Sequence, residues 1–501
     1  MKRNIILSIL LSSTLLFTAC KKDFLDRQPQ GEAVDANFYK TEKDAIAAIN
    51  AAYDVLQWGQ HNDIFIGEWY FGDICSDDAR KGGENEGDMA YYHDLESFIA
   101  KPSNPAVDAQ WKALYIGIYR CNLVISKIPD IEMDAGLKSR IVAEAKFLRA
   151  YYYFFLVRLF GGVPIVTTPL APSEYVKPRA SVQEVYNLIE SDLKDAAMVL
   201  PEKSQYSSAD MGRATRGAAN GLLLRVYIFQ KKWSLAQPLG ETIIGSKEYG
   251  LDSSYAHIFT VDGENGIESV FEIQHSATSE PGWGKVNEGN LLTILQGSRG
   301  SDYGWGFNCP TQDFVNEFEP GDPRLEHTVI FDGEVVNGAK VDNKDSPTRM
   351  HSHKYVLKVG ERPSELGLGG NIWFGQLNVK VIRYADILLM TAEAAYHNGD
   401  ETTAKKYLNQ VRKRAREGNN SILPDVTSSG PALLEAIYHE RRVELGMEAL
   451  RFFDIVRQGR AGQVMRGVGY SNFIDGVHEL FPIPQAEIDI TGGIVNQNPG
   501  Y

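Results

Sequence analysis

The stretch Ser139–Pro164, SRIVAEAKFLRAYYYFFLVRLFGGVP, constrains this chain more than any other. Ile141, Ala145, Leu148, Tyr152, Phe155 and Leu159 recur at spacings of four and three, which sets them along one seam of an α-helix. Tyr151, Phe154 and Val157 cover the other flank of its C-terminal half, so this part of the helix is apolar nearly all round and belongs in an interior. Gly161-Gly162 and Pro164 end it, because glycine takes the left-handed cap conformation and proline cannot extend the hydrogen-bond ladder. A helix of this kind predicts a predominantly α fold built around it.

Other helical stripes follow the same rule. Thr41 with Asp44 forms a capping signal before Ala45, Ile46, Ile49, Tyr53 and Leu56. Val107–Ile128 carries Trp111, Leu114, Ile118, Cys121 and Ile125, and Ser181 opens a helix that stops at Pro201. Thr215–Gln230 with Trp233–Ile244 reads as a helical hairpin, and Tyr384–His397 with Glu401–Arg416 reads as a second. Laying Ala236 over Ala404 aligns Leu224 with Ala392 and Tyr227 with Ala395, which predicts tetratricopeptide-like helix pairs. Ala432–Ile455 is expected as one last long helix. Between the hairpins, residues 251–380 are rich in Gly, Asn, Asp and Ser, with short strands expected at Val270–Ile273 and Tyr355–Val359.

The N-terminus gives an address. Lys2-Arg3 precede an apolar run from Ile5 to Thr18, too short to span a bilayer and suited to a signal peptide. The run ends Leu16-Phe17-Thr18-Ala19-Cys20, which looks like a bacterial lipobox and predicts cleavage before Cys20 and lipidation of that cysteine. The expected organisation is a signal peptide over 1–19, lipidated Cys20 and a tether over 20–40, and a helical-repeat part over 41–250 with a long loop at 61–105. An irregular insertion over 251–380, a second helical-repeat part over 381–460 and a docking segment over 461–501 complete it. The net charge of −14 argues against nucleic acid as a partner. Cys75, Cys121 and Cys309 are widely spaced and predict no disulfide framework.

Catalytic and metal signatures are missing from the sequence. His439-Glu440 begins a zinc-protease pattern, but Val443 stands where the second histidine is needed, and His351 with His353 lack a third ligand nearby. No catalytic residue, cofactor or metal is therefore expected. Aromatic residues in polar, glycine-rich loops are the stronger signal, because a flat ring buries the C–H face of a sugar while adjacent acids and amides bind its hydroxyls. Trp69, Trp283, Trp305 and Trp373, with Tyr70 and Tyr303, are the candidates on these grounds, together with the loop acids Asp73, Asp77 and Asp78.

Several segments together resemble the SusD/RagB family of surface glycan-binding lipoproteins. They are Leu16–Cys20, Glu144–Pro164, Gly304–Pro310 with Glu319–Arg324, Ile382–Glu393, Leu408–Ala415, Glu440–Gly459 and Leu480–Tyr501. The resemblance implies four tetratricopeptide-like helix pairs, an inserted irregular region and no catalysis. It also implies a glycan ligand, lipid anchoring on the outer membrane facing the exterior, and a SusC-like TonB-dependent barrel as partner, which the protein covers as a lid. Arg441, Arg442, Glu444, Arg451 and Asp454 fall in its shared motifs and are expected to form ion pairs between helices. The competing expectation is a lipid-anchored repeat scaffold that binds peptide or protein.

Overall fold

The computed structural model describes residues 38–277, 288–299, 304–363, 365–367 and 374–501. Thr41 accepts from the backbone N–H of Asp44, whose carboxylate accepts from the Thr41 N–H, and this reciprocal cap starts helix α1, Glu42–Gln57. The scaffold continues with α2 (Pro105–Lys127), α3 (Ala135–Phe160), α4 (Val182–Val199), α5 (Arg216–Phe229), α6 (Trp233–Ser246), α7 (Tyr384–His397) and α8 (Glu401–Ala415). Each packs on the next in chain order, so these eight helices form four tetratricopeptide-like pairs in one continuous stack. The α6 to α7 step joins the two hairpins that the small-residue alignment related. Gly240 makes it close, since a Cβ there would stand 2.0 Å from Thr391 Oγ1.

The C-terminal half of helix α3 is buried on all sides. Phe147, Leu148, Tyr152, Tyr153, Phe154, Leu156 and Phe160 are all at or below 1% exposed, and Phe155 at 4% packs edge-on against Phe71. The tyrosine hydroxyls are satisfied locally: Tyr152 donates to the Ala52 carbonyl at 2.7 Å and Tyr151 to Glu68 at 2.8 Å. An apolar helix therefore still fixes its neighbours by direction, through its polar tips.

The insertion leaves and returns at one place. Strand β2 (Ser269–Ile273) pairs antiparallel with β4 (Val379–Arg383), while β1 (Ala79–Gly82) pairs with β3 (Phe307–Pro310) and so ties the early loop to the insertion. Val270–Ile273 is thus a strand as expected. Residues 355–359 are not; the strand nearby is Met350–Ser352, paired with Val329–Phe331. Residues 61–105 also depart from an open loop, since they hold a small hairpin, a π-helical turn at Tyr70–Ile74, β1 and the helix Ala90–Glu96, much of it buried.

The last long helix is interrupted. It runs as α9 (Pro431–Glu444) and α10 (Arg451–Arg457), with Met447 and Ala449 at φ 62° and 63° between them. Phe314 packs so closely on the break that only glycine fits at 446, since a Cβ there would fall 2.2 Å from its ring. The expected ion pairs form on both sides of this break. Arg441 binds Asp386 at 2.6 Å and Asp454 at 3.2 Å, Arg442 and Arg451 hold Asp77 and Asp78, and Glu444 accepts from Arg324, Arg383 and Arg414. Cys75, Cys121 and Cys309 are buried and free. Among the described residues no helix is long and apolar enough to cross a membrane.

Candidate functional site

The sequence candidates divide into three groups. Trp283, Tyr303 and Trp373 lie outside the described residues, as does Cys20. Trp69, Tyr70, Asp73, Asp77 and Asp78 are buried, at 3%, 0%, 1%, 3% and 0% exposed, and this corrects their placing on an open loop. Tyr70 donates to Gln110 Oε1 at 3.1 Å, and Trp69 packs edge-on against Tyr70 and Tyr92. Asp77 receives a bidentate Arg451 at 2.8 Å on both oxygens, and Asp78 receives Arg442 Nε at 2.7 Å. Asp73 accepts from the Ala449 N–H at 2.9 Å and from Asn308 Nδ2 at 3.0 Å. These acids hold the α9–α10 break in place and have no surface to offer a ligand. Trp305 remains half-buried, its ring centroid 5.8 Å from that of Phe65 and its backbone N–H bonded to the Ile294 carbonyl.

The room for a ligand lies beside the end of α1. An inner cavity of about 100 Å³ is lined by Trp58, Trp69, Tyr151, Leu291, Tyr355 and Lys380 among others. It shares Leu56, Gln57 and Ile273 with an open cleft of about 550 Å³, whose walls include Tyr53, Asp54, Arg120, Arg213, Gln274 and Glu288. Trp58 lines the inner cavity next to Leu56 and Gln57, which both spaces share. Its Nε1 donates to Asp54 at 3.0 Å, the Arg120 guanidinium lies 5.1 Å from its ring centre, and the His61 ring stacks parallel at 5.8 Å. Arg120 also binds Asp54 at 2.6 Å and the Ala51 carbonyl at 2.6 Å, so ring, acid and cation are locked to one helix end. Trp58 is not among the sequence candidates; its position at a helix C-terminus before glycine is the signal the sequence offers for it.

The cleft wall formed by the insertion is equally fixed. Gln274 and Asn265 exchange amide hydrogen bonds at 2.9 and 3.1 Å, Gln57 donates to the Gln274 carbonyl at 2.7 Å, and Glu272 accepts from Asn378 and faces Lys380 at 2.8 Å. Burial pushes the neighbouring Glu264 carboxyl up to about 7 and the His275 imidazole down to about 4. The arrangement offers a half-exposed aromatic plane beside pre-set amides, acids and arginines. Rings with hydroxyl groups fit such a surface, because the plane takes the apolar face and the polar groups take the edge. Among the described residues no group of His, Cys, Asp or Glu is placed to hold a metal ion. His351 and His353 do not converge, for His351 lies 3.8 Å from Cys309 Sγ and His353 is bonded to the Glu326 carbonyl.

Known proteins share this architecture across the whole chain. Residues 261–501 match the model of the SusD family, and residues 23–228 match that of a family described as starch-binding, associating with the outer membrane. SusD-like protein P2 of Formosa agariphila is 27% identical over 97% of this chain and 98% of its own. Among solved structures, a laminarin-binding SusD-like protein superposes with a TM-score of 0.81 at 32% identity, over 92% of this chain and all of that one. Surface glycan-binding protein A from Bacteroides thetaiotaomicron, in complex with laminarihexaose, superposes with a TM-score of 0.79 at 26% identity over the same shares. With four stacked helix pairs, an insertion pinned at β2 and β4, and relatives that match end to end, the chain belongs to the SusD/RagB family.

Proposed function

We propose that this protein captures a glycan and passes it on chemically unchanged. The observation that carries the reading is Trp58, an aromatic plane held by Asp54 and Arg120 on the inner cavity, beside a cleft lined with fixed polar groups. Its similarity to a laminarin-binding protein and to one in complex with laminarihexaose supports a carbohydrate over other ring-shaped ligands. Trp305 and, from the sequence, Trp283, Tyr303 and Trp373 extend the set of aromatic candidates around the ligand. Lipidation at Cys20 anchors the mature protein to the outer membrane on its exterior face, and a SusC-like TonB-dependent barrel receives the glycan beneath it. The match to a family described as associating with the outer membrane supports that location.

Isothermal titration against laminarin, amylopectin, xylan and galactan, each as polymer and as oligosaccharide, tests the reading. Saturable binding to one of them is the expected result. If all fail, with the partner barrel present as well, while a peptide library yields a ligand, the reading is wrong and the repeat-scaffold alternative stands. Unaltered oligosaccharide length after prolonged incubation is expected, and product release would contradict passive capture.

A further inference from the structure

On the other flank of α2 lies a second depression, of about 430 Å³, that the proposed capture site does not use. Its floor is rigid. Trp111 packs at 5.0 Å against both Tyr115 and Phe160, and the Tyr115 hydroxyl donates to the Pro164 carbonyl at 2.8 Å. Its rim is unusual for a soluble surface, because Tyr119 and Tyr175 are 52% and 64% exposed and neither has a ring or hydrogen-bond partner among the described residues. Two large rings left in water at one concave place mark a binding surface better than scattered apolar residues do. Lys177, in no ion pair among the described residues, and Glu487 supply polar tips of opposite sign.

We infer that this depression is a second carbohydrate subsite, which engages a long glycan whose other part occupies the cleft beside Trp58. The inference rests on the capture reading. Two features favour a sugar over a protein surface. The depression is concave and falls in the size range of small-ligand pockets, whereas protein interfaces are broad and flatter. It also lies near the first site: Arg120 walls the cleft, while Ile116, one helical turn or roughly 6 Å earlier along α2, walls the depression. The stacked Trp58 and His61 rings stand at the seam, Trp58 on the inner cavity and His61 on the depression. A chain of sugar rings crossing that seam meets aromatic surface on both sides of it.

The test is the full chain carrying Tyr119→Ala and Tyr175→Ala together, titrated with a trisaccharide and with the parent polymer from the panel above. Both side chains are more than half exposed, so the melting temperature is expected to match wild type; Tyr175→Ala alone serves if it does not. Polymer affinity is expected to fall about tenfold, as for loss of one of two linked contacts, with trisaccharide affinity within about twofold. Equal polymer affinity in variant and wild type overturns the subsite. Loss of co-purification with the barrel at unchanged polymer affinity also overturns it and makes the tyrosines a transporter contact. If wild type itself binds no polymer, the capture reading fails first and the subsite with it.

Discussion

Around α3, buried rings such as Tyr152 and Phe154 join it to other helices of the stack, at Ala52 and Phe229; around α9, buried Arg324, Arg383, Glu440 and Glu444 join irregular segments to helices. Glu268 and Arg324 come from the insertion, Asp77 and Asp78 from the early loop, and all meet arginines or glutamates of α8, α9 and α10, while Asp322 steadies Arg324 from within the insertion. The difference is one of direction. Apolar burial is proportional to area and nearly indifferent to orientation, which suffices where helix geometry already fixes the approach. Irregular chain has no such geometry, and a forked guanidinium between two carboxylates specifies where it must sit. The charged core therefore serves placement more than net stability, since the desolvation cost of buried ions offsets much of their attraction.

Removing one member from each core probes that distinction. Burial alone raises the pKa of Glu444, but Arg414, Arg383 and Arg324 together hold it well below the usual carboxylate range. Glu444→Ala takes one shared carboxylate from three buried arginines, which are left with Asp322, Glu440, Glu268 and Glu448, and chemical denaturation should show a loss of about 3–5 kcal/mol. A loss under about 1 kcal/mol would mean that water reaches this network and that it carries little of the placement. Phe155→Ala should cost about 3–5 kcal/mol from lost burial and the cavity left behind, with the glycan preference of the folded fraction unchanged. An altered preference would couple the aromatic core to the ligand and erase the division of labour.

The same division decided what could be read from the sequence. Aromatic stripes on α2 and α3, the Thr41 cap and the small residues at the α6 to α7 step are local patterns, and each produced the element it implied. The Arg441 and Arg442 pairs were legible as pairs, though their partners were not. Asp77 and Asp78 looked like exposed loop acids because loops are usually solvated; their arginines stand 374 and 364 positions away. Trp69 failed for the same reason, since a polar, aromatic loop is indistinguishable locally from one folded inward. The break between α9 and α10 was hidden because the residues packed on it, Phe314 and Asp73, belong to the insertion and the early loop.

Asp73 sharpens the comparison, as a carboxylate in the charged region that has amide partners and no arginine. Burial pushes its carboxyl from 3.8 up to about 7, so the unfolded chain releases this proton first as pH rises. Its contribution to stability is therefore full below about pH 3.8 and lost as pH rises through about 7, a change on the order of 4 kcal/mol. Asp73→Asn removes the charge and keeps an acceptor for the Ala449 N–H, while Asn308, whose Oδ1 has no partner, can turn to meet the new amide. The stability difference between wild type and variant, followed from pH 4 to 7.5, should move steadily in favour of the variant. A difference independent of pH would show that Asp73 ionises in place as an ordinary carboxylate.

Trp58 gives the smallest expected effect and joins the two chemistries, being an aromatic plane held by a charge pair. Trp58→Ala removes the half-exposed ring but leaves Arg120 bound to Asp54 and to the Ala51 carbonyl, so stability should change little. Affinity for the captured glycan should fall by about 1–2 kcal/mol, the usual worth of one stacked ring. Trp69→Ala should do the reverse, costing stability because that ring is 3% exposed and packed against Tyr70 and Tyr92. Titration and thermal melting of the two variants side by side separate the roles. If Trp58→Ala binds as wild type does while Trp69→Ala folds and loses affinity, the buried Trp69 ring, and not Trp58, is the one that meets the ligand in the inner cavity.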